Sequence, residues 1–284
     1  MDKFRKYFSW SNLAIAIIIY VIISQSFSLK FYQNPHRIID SDVSNYYAYL
    51  PLTFIFDQMD YRFDEVSFPI VKDYLYSVPV GNGNNINPYT MGMAMAYSPF
   101  FFSVHLPLKW MGYPTTGFSL PYRISIILAC LFYVLTAIVL LKRILIRVFD
   151  DRITAISLLA LVLATNLLYY VTFEPGMPHA FNFSFGVFFL YLTIKWHEKP
   201  GILNSIGIGL LTGMISLIRP TDVVIALVFI LWKVNSLNAL KSNVLLIGRK
   251  WYLILLILIF AFMVWVPQMM YWKHFTGQYL YNPY

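Results

Sequence analysis

Three short polar clusters interrupt a largely apolar sequence, and each carries groups able to do chemistry. The first is Asp40-Ser41-Asp42. Two carboxylates at this spacing can hold a divalent cation beside a phosphate, because such cations take hard oxygen ligands. A plainer role competes and on spacing alone comes first: Asp42 as a helix N-cap accepting the amide of Ser44 or Asn45. Asn45 stands where a capping box needs Glu or Gln. The second cluster is Glu174-Pro175-Gly176-Met177-Pro178-His179, a carboxylate and an imidazole five residues apart. At membrane depth both would be costly without a role, whereas at a hairpin tip in water neither would. The third is Arg219-Pro220-Thr221-Asp222. Arginine suits phosphate because its planar fork donates two parallel hydrogen bonds. The alternative is an Arg219–Asp222 turn pair without a ligand, and Pro220 by itself explains a helix break there.

Other polar residues carry less. His105, Lys109 and Arg123 show no recognisable spacing, and His105 reads as a packing residue. The stretch from Tyr271 to Gly277, with Lys273 in it, reads as an aromatic belt closing a span. No Walker-type phosphate loop, H-E-x-x-H or G-x-S-x-G occurs, so nucleotide hydrolysis, zincin and serine-hydrolase chemistry lack support. The single Cys130 lies in an apolar run, which excludes an internal disulfide and a cysteine metal site.

The elements that position these clusters are apolar and long. Hydrophobic residues make up 59% of the 284 and charged residues only 12%, about half the ~25% of a soluble domain. Mean hydropathy is +0.62. An integral membrane protein is the class that fits, and disorder, a disulfide scaffold and nucleic-acid binding fit poorly. The net charge of +8 is what basic residues flanking spans produce. A spanning helix needs ~20 mostly apolar residues. That ruler gives Trp10–Leu29, Ile124–Leu141, Ile153–Val171, Ala180–Trp196, Ile202–Ile218, a short segment from Val223 to Trp232, and Trp251–Met270, seven in all. The first reads as an uncleaved anchor, although Ser24-Gln25-Ser26 offers a small-x-small site of the signal-peptide kind.

Charge sets the orientation. With the N-terminus inside, Lys3, Arg5, Lys6, Lys142, Arg143, Arg147, Arg152, Lys195, Lys199, Lys233, Lys241, Arg249 and Lys250 fall inside, 13 of the 21 basic residues. Asp40, Asp42, Asp57, Asp60, Asp64, Glu65, Asp73, Glu174 and Asp222 fall outside, 9 of 13 acidic ones. The long outer loop runs from Phe31 to Leu120. Within it Val43, Tyr46, Tyr47, Leu50 and Phe54 form a helical apolar stripe, expected to lie flat on the membrane with its tyrosines among the headgroups. Tyr97 to Met111, broken by Pro99 and Pro107, is expected to be interfacial or re-entrant. Gly81-Asn82-Gly83-Asn84-Asn85 reads as a mobile turn.

Five stretches together resemble the membrane-embedded GT-C glycosyltransferase superfamily of the polyprenyl-phosphate-sugar-dependent type. They are Asp42-Val43-Ser44-Asn45-Tyr46-Tyr47-Ala48-Tyr49-Leu50-Pro51, Met91 to Phe100, Glu174 to Phe185, Gly213 to Asp222, and Gln268 to Gly277. The resemblance implies an all-α polytopic protein of about seven transmembrane helices in a bacterial inner membrane. It implies transfer of a sugar from a polyprenyl-phosphate donor to an envelope glycan, lipid or protein acceptor, with the bilayer as its other partner and no nucleic acid. It places the essential outer-loop acid on Asp42, with Asp40 second. Arg219, His179 and Lys273 are implied near the lipid phosphate, and Tyr46, Tyr47 and Glu174 complete the substrate-binding candidates. No metal and no cofactor are expected, the D-x-D form being looser than a nucleotide-sugar metal motif. Family members continue through further spans, so this chain is expected to be the N-terminal portion of a longer enzyme. The alternatives are a transporter or flippase of lipid-linked sugars, which would need charges within spans, and a truncated non-catalytic subunit.

Overall fold

The computed structural model describes residues 9–61, 75–81 and 83–282. Lys3, Arg5 and Lys6 of the basic leader, Asp64, Glu65 and Asp73 of the outer loop, and Asn82 of the turn lie outside them. Helix accounts for 75% of the structure. Three helical stretches are long and apolar enough to cross a membrane, Trp10–Gln33, Leu120–Leu145 and Trp251–Thr276. Two shorter apolar ones are Ile202–Ile218 and Pro220–Ile230. The chain divides into two compact units. One holds the described residues up to Tyr89 together with Met93–Ser184; the other holds Thr90–Gly92 and Phe185–Asn282.

The first unit opens with α1 (Trp10–Ser28). Its buried residues Ser11, Ala14, Ile18, Ile22 and Ser26 recur every three or four positions, one face of a helix. Leu13, Ile17, Tyr20 and Ile23 are exposed, which suits a helix whose other face meets lipid. The chain continues through α2 (Ser41–Pro51) and a π turn at Leu52–Phe56 to a two-residue hairpin, β1 (Val78–Pro79) against β2 (Asn85–Ile86). The glycine-asparagine segment closes this hairpin: Val80 donates to the carbonyl of Asn84 and Gly83 to that of Val80, with Gly83 at φ +80°.

Next comes α3 (Gly92–Trp110), continuous through both prolines, where a broken segment was expected. Pro99 has no N–H to give the carbonyl four residues back; Ser98 Oγ donates to that carbonyl, Met95 O, at 2.8 Å. Long α4 (Leu120–Leu145) follows, with Arg123 buried in its first turn rather than in an outer loop. The expected third span is two helices, α5 (Asp151–Leu163) and α6 (Leu167–Thr172). Thr165 causes the interruption: its hydroxyl bonds back to Leu161 O at 2.6 Å and accepts from Leu167 N at 3.2 Å, competing with the helical ladder.

Within the second unit, α7 (Pro178–Glu198, from Phe185 on), α8 (Ile202–Ile218) and α11 (Trp251–Thr276) are the main helices. Gly209 and Gly213 let α8 and α11 touch backbone to backbone: a Cβ on Gly209 would lie 2.5 Å from Ile257 O, and one on Gly213 2.7 Å from Ala261 O. Small residues four apart are a common solution to helix packing in lipid. After Ile218 the chain is extended at Arg219, as a residue before proline should be, and the weak sixth segment is a 3₁₀ stretch at Pro220–Ile225 plus the short α9 (Ala226–Ile230). The surface helix α10 (Leu237–Arg249) buries none of its residues.

One carboxylate ties the two N-terminal ends of α1 and α5 together. Asp151 Oδ1 accepts from Ser9 Oγ at 2.7 Å and Ser11 Oγ at 2.5 Å, and Oδ2 from the Trp10 amide at 2.6 Å. These amides are orphan donors at the positive end of α1, where an anion is favoured. The two serine hydroxyls and the Ser11 and Trp10 amides hold the Asp151 carboxyl at about 2, below its ordinary 3.8. Because the native value is depressed, the stabilisation is complete above about pH 4 and is lost as pH falls through about 2. The Tm of Asp151→Asn should therefore lie below that of the wild type at pH 7, and the gap should close as pH is lowered toward 2. A gap independent of pH would show that charge at Asp151 plays no part.

Candidate active site

The first unit builds its most polar site where α2 meets the β1–β2 hairpin. Helix α2 is buried nearly all round, through Val43, Ser44, Asn45, Tyr47, Ala48, Tyr49 and Leu50. That departs from a helix lying flat among headgroups. Tyr47 is fully buried, its hydroxyl donating to Gly117 O at 2.6 Å and its ring against Tyr97, Phe101 and Phe118. Burial, with Tyr122 adding to it, holds its phenol well above the ordinary tyrosine range. Tyr47, a substrate-binding candidate by resemblance, is thus a core residue. Phe54, past the end of α2, is exposed.

The hairpin is fastened to α2 by two buried asparagines. Asn45 Nδ2 donates to Tyr76 O at 2.5 Å while its Oδ1 accepts from Tyr76 N at 3.2 Å, a two-point clamp on one backbone residue. Asn87 returns the grip, its Nδ2 donating to Asn45 O at 2.7 Å and its Oδ1 accepting from Tyr89 N at 2.9 Å. Both side chains have no exposed surface, and an amide is well matched to such a place because it both donates and accepts. Tyr49 adds a bond from its hydroxyl to Tyr89 O at 2.6 Å.

The clamp delivers two phenols to Asp42. Tyr89 OH donates to Asp42 Oδ1 at 2.7 Å, and the single proton of Tyr76 OH is shared between Tyr89 OH at 2.7 Å and the same Asp42 oxygen at 3.2 Å. The Tyr46 ring sits 4.4 Å from that of Tyr89. Burial, followed by its bonds to Tyr76 and Asp42, pushes the Tyr89 phenol far above its usual value, so it remains a neutral donor. The capping role for Asp42 is not formed. Asp40 occupies the N-cap position of α2 by backbone geometry without a side-chain cap bond, and Asp42 stands in the first turn. Between them Ser41 takes φ +49°, a left-handed conformation that costs a non-glycine residue about 1–3 kcal/mol; Ser44 Oγ bonds its carbonyl at 2.5 Å. Asp42 is half-buried, and its Oδ2 takes no hydrogen bond among the described residues.

The Glu174–His179 turn packs beside the same helix. A Cβ on Gly176 would lie 2.4 Å from Val43 Cγ1, so only glycine lets the turn approach the residue next to Asp42. Tyr97 OH donates to Gly176 O and holds the turn to α3. His179 stacks on Tyr170 with ring centroids 4.0 Å apart, and the half-buried Glu174 side chain makes no hydrogen bond or ion pair among the described residues. His105 is the packing residue its context implied, buried, stacked on Phe101 and 2.9 Å from Tyr122 OH. At the N-terminal end of α1 stand Asp151 and Lys142, the latter bonded to Asn12.

Two candidates belong to the second unit. Arg219 is exposed at the end of α8. It makes no side-chain pair with Asp222, to which it is joined only through the backbone, Asp222 N donating to Arg219 O at 2.9 Å. Lys273 caps the end of α11: its Nζ donates to Gly277 O at 2.7 Å and lies over the Tyr279 ring. A cation suits that C-terminus. Gln268, buried in the same helix, accepts from Met91 N at 2.7 Å, and Thr90 Oγ1 donates to Leu217 O, pinning the Thr90–Gly92 segment.

Among the described residues no three His, Cys, Asp or Glu side chains gather as a metal-ligand set. Compared with known protein families, curated proteins and solved structures, the chain matches none of them. Sequence reasoning missed Tyr76, Tyr89 and Asn87, which lie 34, 47 and 42 residues from the partners they serve; no spacing rule reaches across that separation. Asn45→Ala should leave both backbone groups of Tyr76 without their partner, costing on the order of 1–3 kcal/mol and freeing the hairpin. Limited proteolysis should then cut between β1 and β2 faster than in the wild type; unchanged cleavage and Tm would show that the asparagine clamp holds nothing.

Proposed function

We propose that the chain is a membrane-embedded glycosyltransferase of the GT-C kind, moving a sugar from a polyprenyl-phosphate donor to an envelope acceptor on the outer face. The reading takes seven spans with the N-terminus inside and the C-terminal end outside, on the charge distribution. The observation that carries it is the Asp42 carboxylate, with one oxygen held by two phenols and the other without a hydrogen bond among the described residues, at a half-exposed place beside tyrosine rings. A carboxylate fixed through one oxygen leaves the other aimed for a single task. That task is to accept the proton of an acceptor hydroxyl as it attacks the anomeric carbon. The bond to the lipid phosphate breaks as the new glycosidic bond forms, and the phosphate leaves with the electron pair.

Tyr76 and Tyr89 orient Asp42 through their hydroxyls at its Oδ1. Their rings, with Tyr46, present flat apolar faces with polar edges, a surface suited to a sugar. Glu174 lies on the turn that packs against Val43 of this helix. Arg219 keeps the role of gripping the lipid phosphate on the strength of the resemblance and of its exposed, planar guanidinium, which has no side-chain partner among the described residues.

The test is Asp42→Asn. The amide oxygen still accepts from both tyrosines, so the variant should fold and insert normally. It cannot take a proton, and transfer should fall by ~10²–10⁴. Full activity in Asp42→Asn would move the base to Asp40, and full activity in the double variant Asp40→Asn/Asp42→Asn would end the proposal of an outer-loop base.

A further inference from the structure

At the opposite end of the first unit, α1 and α5 enclose a groove of about 490 Å³, within the ~300–1,000 Å³ of small-ligand pockets. Leu13, Ala14 and Ile17 of α1 and Ala155, Ile156 and Leu159 of α5 line it, with Trp10 and Arg152 at the end where both helices begin. Because Asp151 joins the two N-terminal ends, the helices run parallel from a common end. The groove therefore has one polar end and an apolar length of about two turns. We propose that it is a binding site for one anionic glycerophospholipid, an acyl chain in the groove and the phosphodiester on Arg152. The proposal rests on α1 crossing the membrane, not on sugar transfer.

Charge selects this occupant. Arg152 is exposed and its guanidinium has no hydrogen-bond or ionic partner among the described residues. The two neighbouring carboxylates are both committed elsewhere. Asp151 is taken by Ser9, Trp10 and Ser11, while Asp150 Oδ1 accepts the amides of Arg152 and Ile153 at 2.9 Å each. Lys142, bonded to Asn12, and Arg143 close α4 at the same end, so the surroundings are cationic. Trp10 opens α1, and indole rings favour the membrane interface. A neutral apolar partner would leave the arginine unused, and a free phosphate would leave the groove empty.

The experiment uses the full chain in detergent micelles doped with dioleoyl phosphatidylglycerol or dioleoyl phosphatidylcholine, reading bound lipid by native mass spectrometry and stability by Tm. Phosphatidylglycerol should bind one to one and raise Tm, and phosphatidylcholine should do neither. Arg152→Gln should lose roughly fivefold in affinity, the weight of one basic side chain at an anionic surface. Ile156→Asp, a change at an exposed lining position, should lose binding as well, whereas Arg143→Gln should keep it. Equal binding of the two lipids would overturn the proposal. So would undiminished binding in Arg152→Gln, an equal loss in Arg143→Gln, or a polyprenyl phosphate outcompeting phosphatidylglycerol.

Discussion

The arrangement of the candidate site depends on a single oxygen atom, Oδ1 of Asp42, and the two tyrosine hydroxyls that reach it. A carboxylate on a helix in an outer loop would ordinarily be hydrated and free to rotate. Here its orientation is set by donors from a hairpin more than thirty residues away in the chain. That hairpin has only two residues per strand, too few to be stable alone. Its position comes from Asn45 and Asn87, whose amides satisfy one another and the backbone they hold while fully buried. Removing either partner of such a network costs more than the bond itself contributes, because the group left behind stays buried.

Aromatic packing supports the same site from beneath. Tyr47 and Tyr97 bury their rings and spend their hydroxyls on the carbonyls of Gly117 and Gly176. Tyr47 thereby joins α2 to the loop before α4, and Tyr97 joins α3 to the Glu174–His179 turn. Such residues resolve a difficulty particular to this chain: loops near a membrane must satisfy their backbone without a large polar surface. Tyrosine combines apolar area with one donor, which accounts for the richness of the sequence in that residue. The second unit solves its packing differently, with glycines at positions 209 and 213 bringing α8 and α11 into backbone contact.

Long apolar helices were legible in the sequence because hydropathy over some twenty residues is a strong signal. The helix break at Arg219-Pro220 was legible because proline acts locally. The division of the third span was not, since it arises from a threonine hydroxyl turning back on its own helix. The continuity of α3 through Pro99 was equally hidden, because Ser98 replaces the donor that proline lacks. At the site, Asp42 was singled out by its type and by resemblance, but its competing role as a cap was decided by where the helix begins, with Asp40 at the N-cap position and Asp42 in the first turn. Tyr46 and Tyr47, adjacent in sequence, point to different fates; the helical stripe put both on one face, while burial of the whole helix sends Tyr47 to the core.

The central claim, that the site transfers sugar from a lipid phosphate, has one direct measurement. Purified protein is given a polyprenyl-phosphate sugar labelled in the lipid, with an envelope extract as acceptor, and the free polyprenyl phosphate is quantified against time. The account predicts steady, enzyme-proportional release that requires the acceptor and disappears in Asp42→Asn. Release that is absent from the wild type under conditions where it is folded and lipid-bound, or equal in the variant, would contradict it.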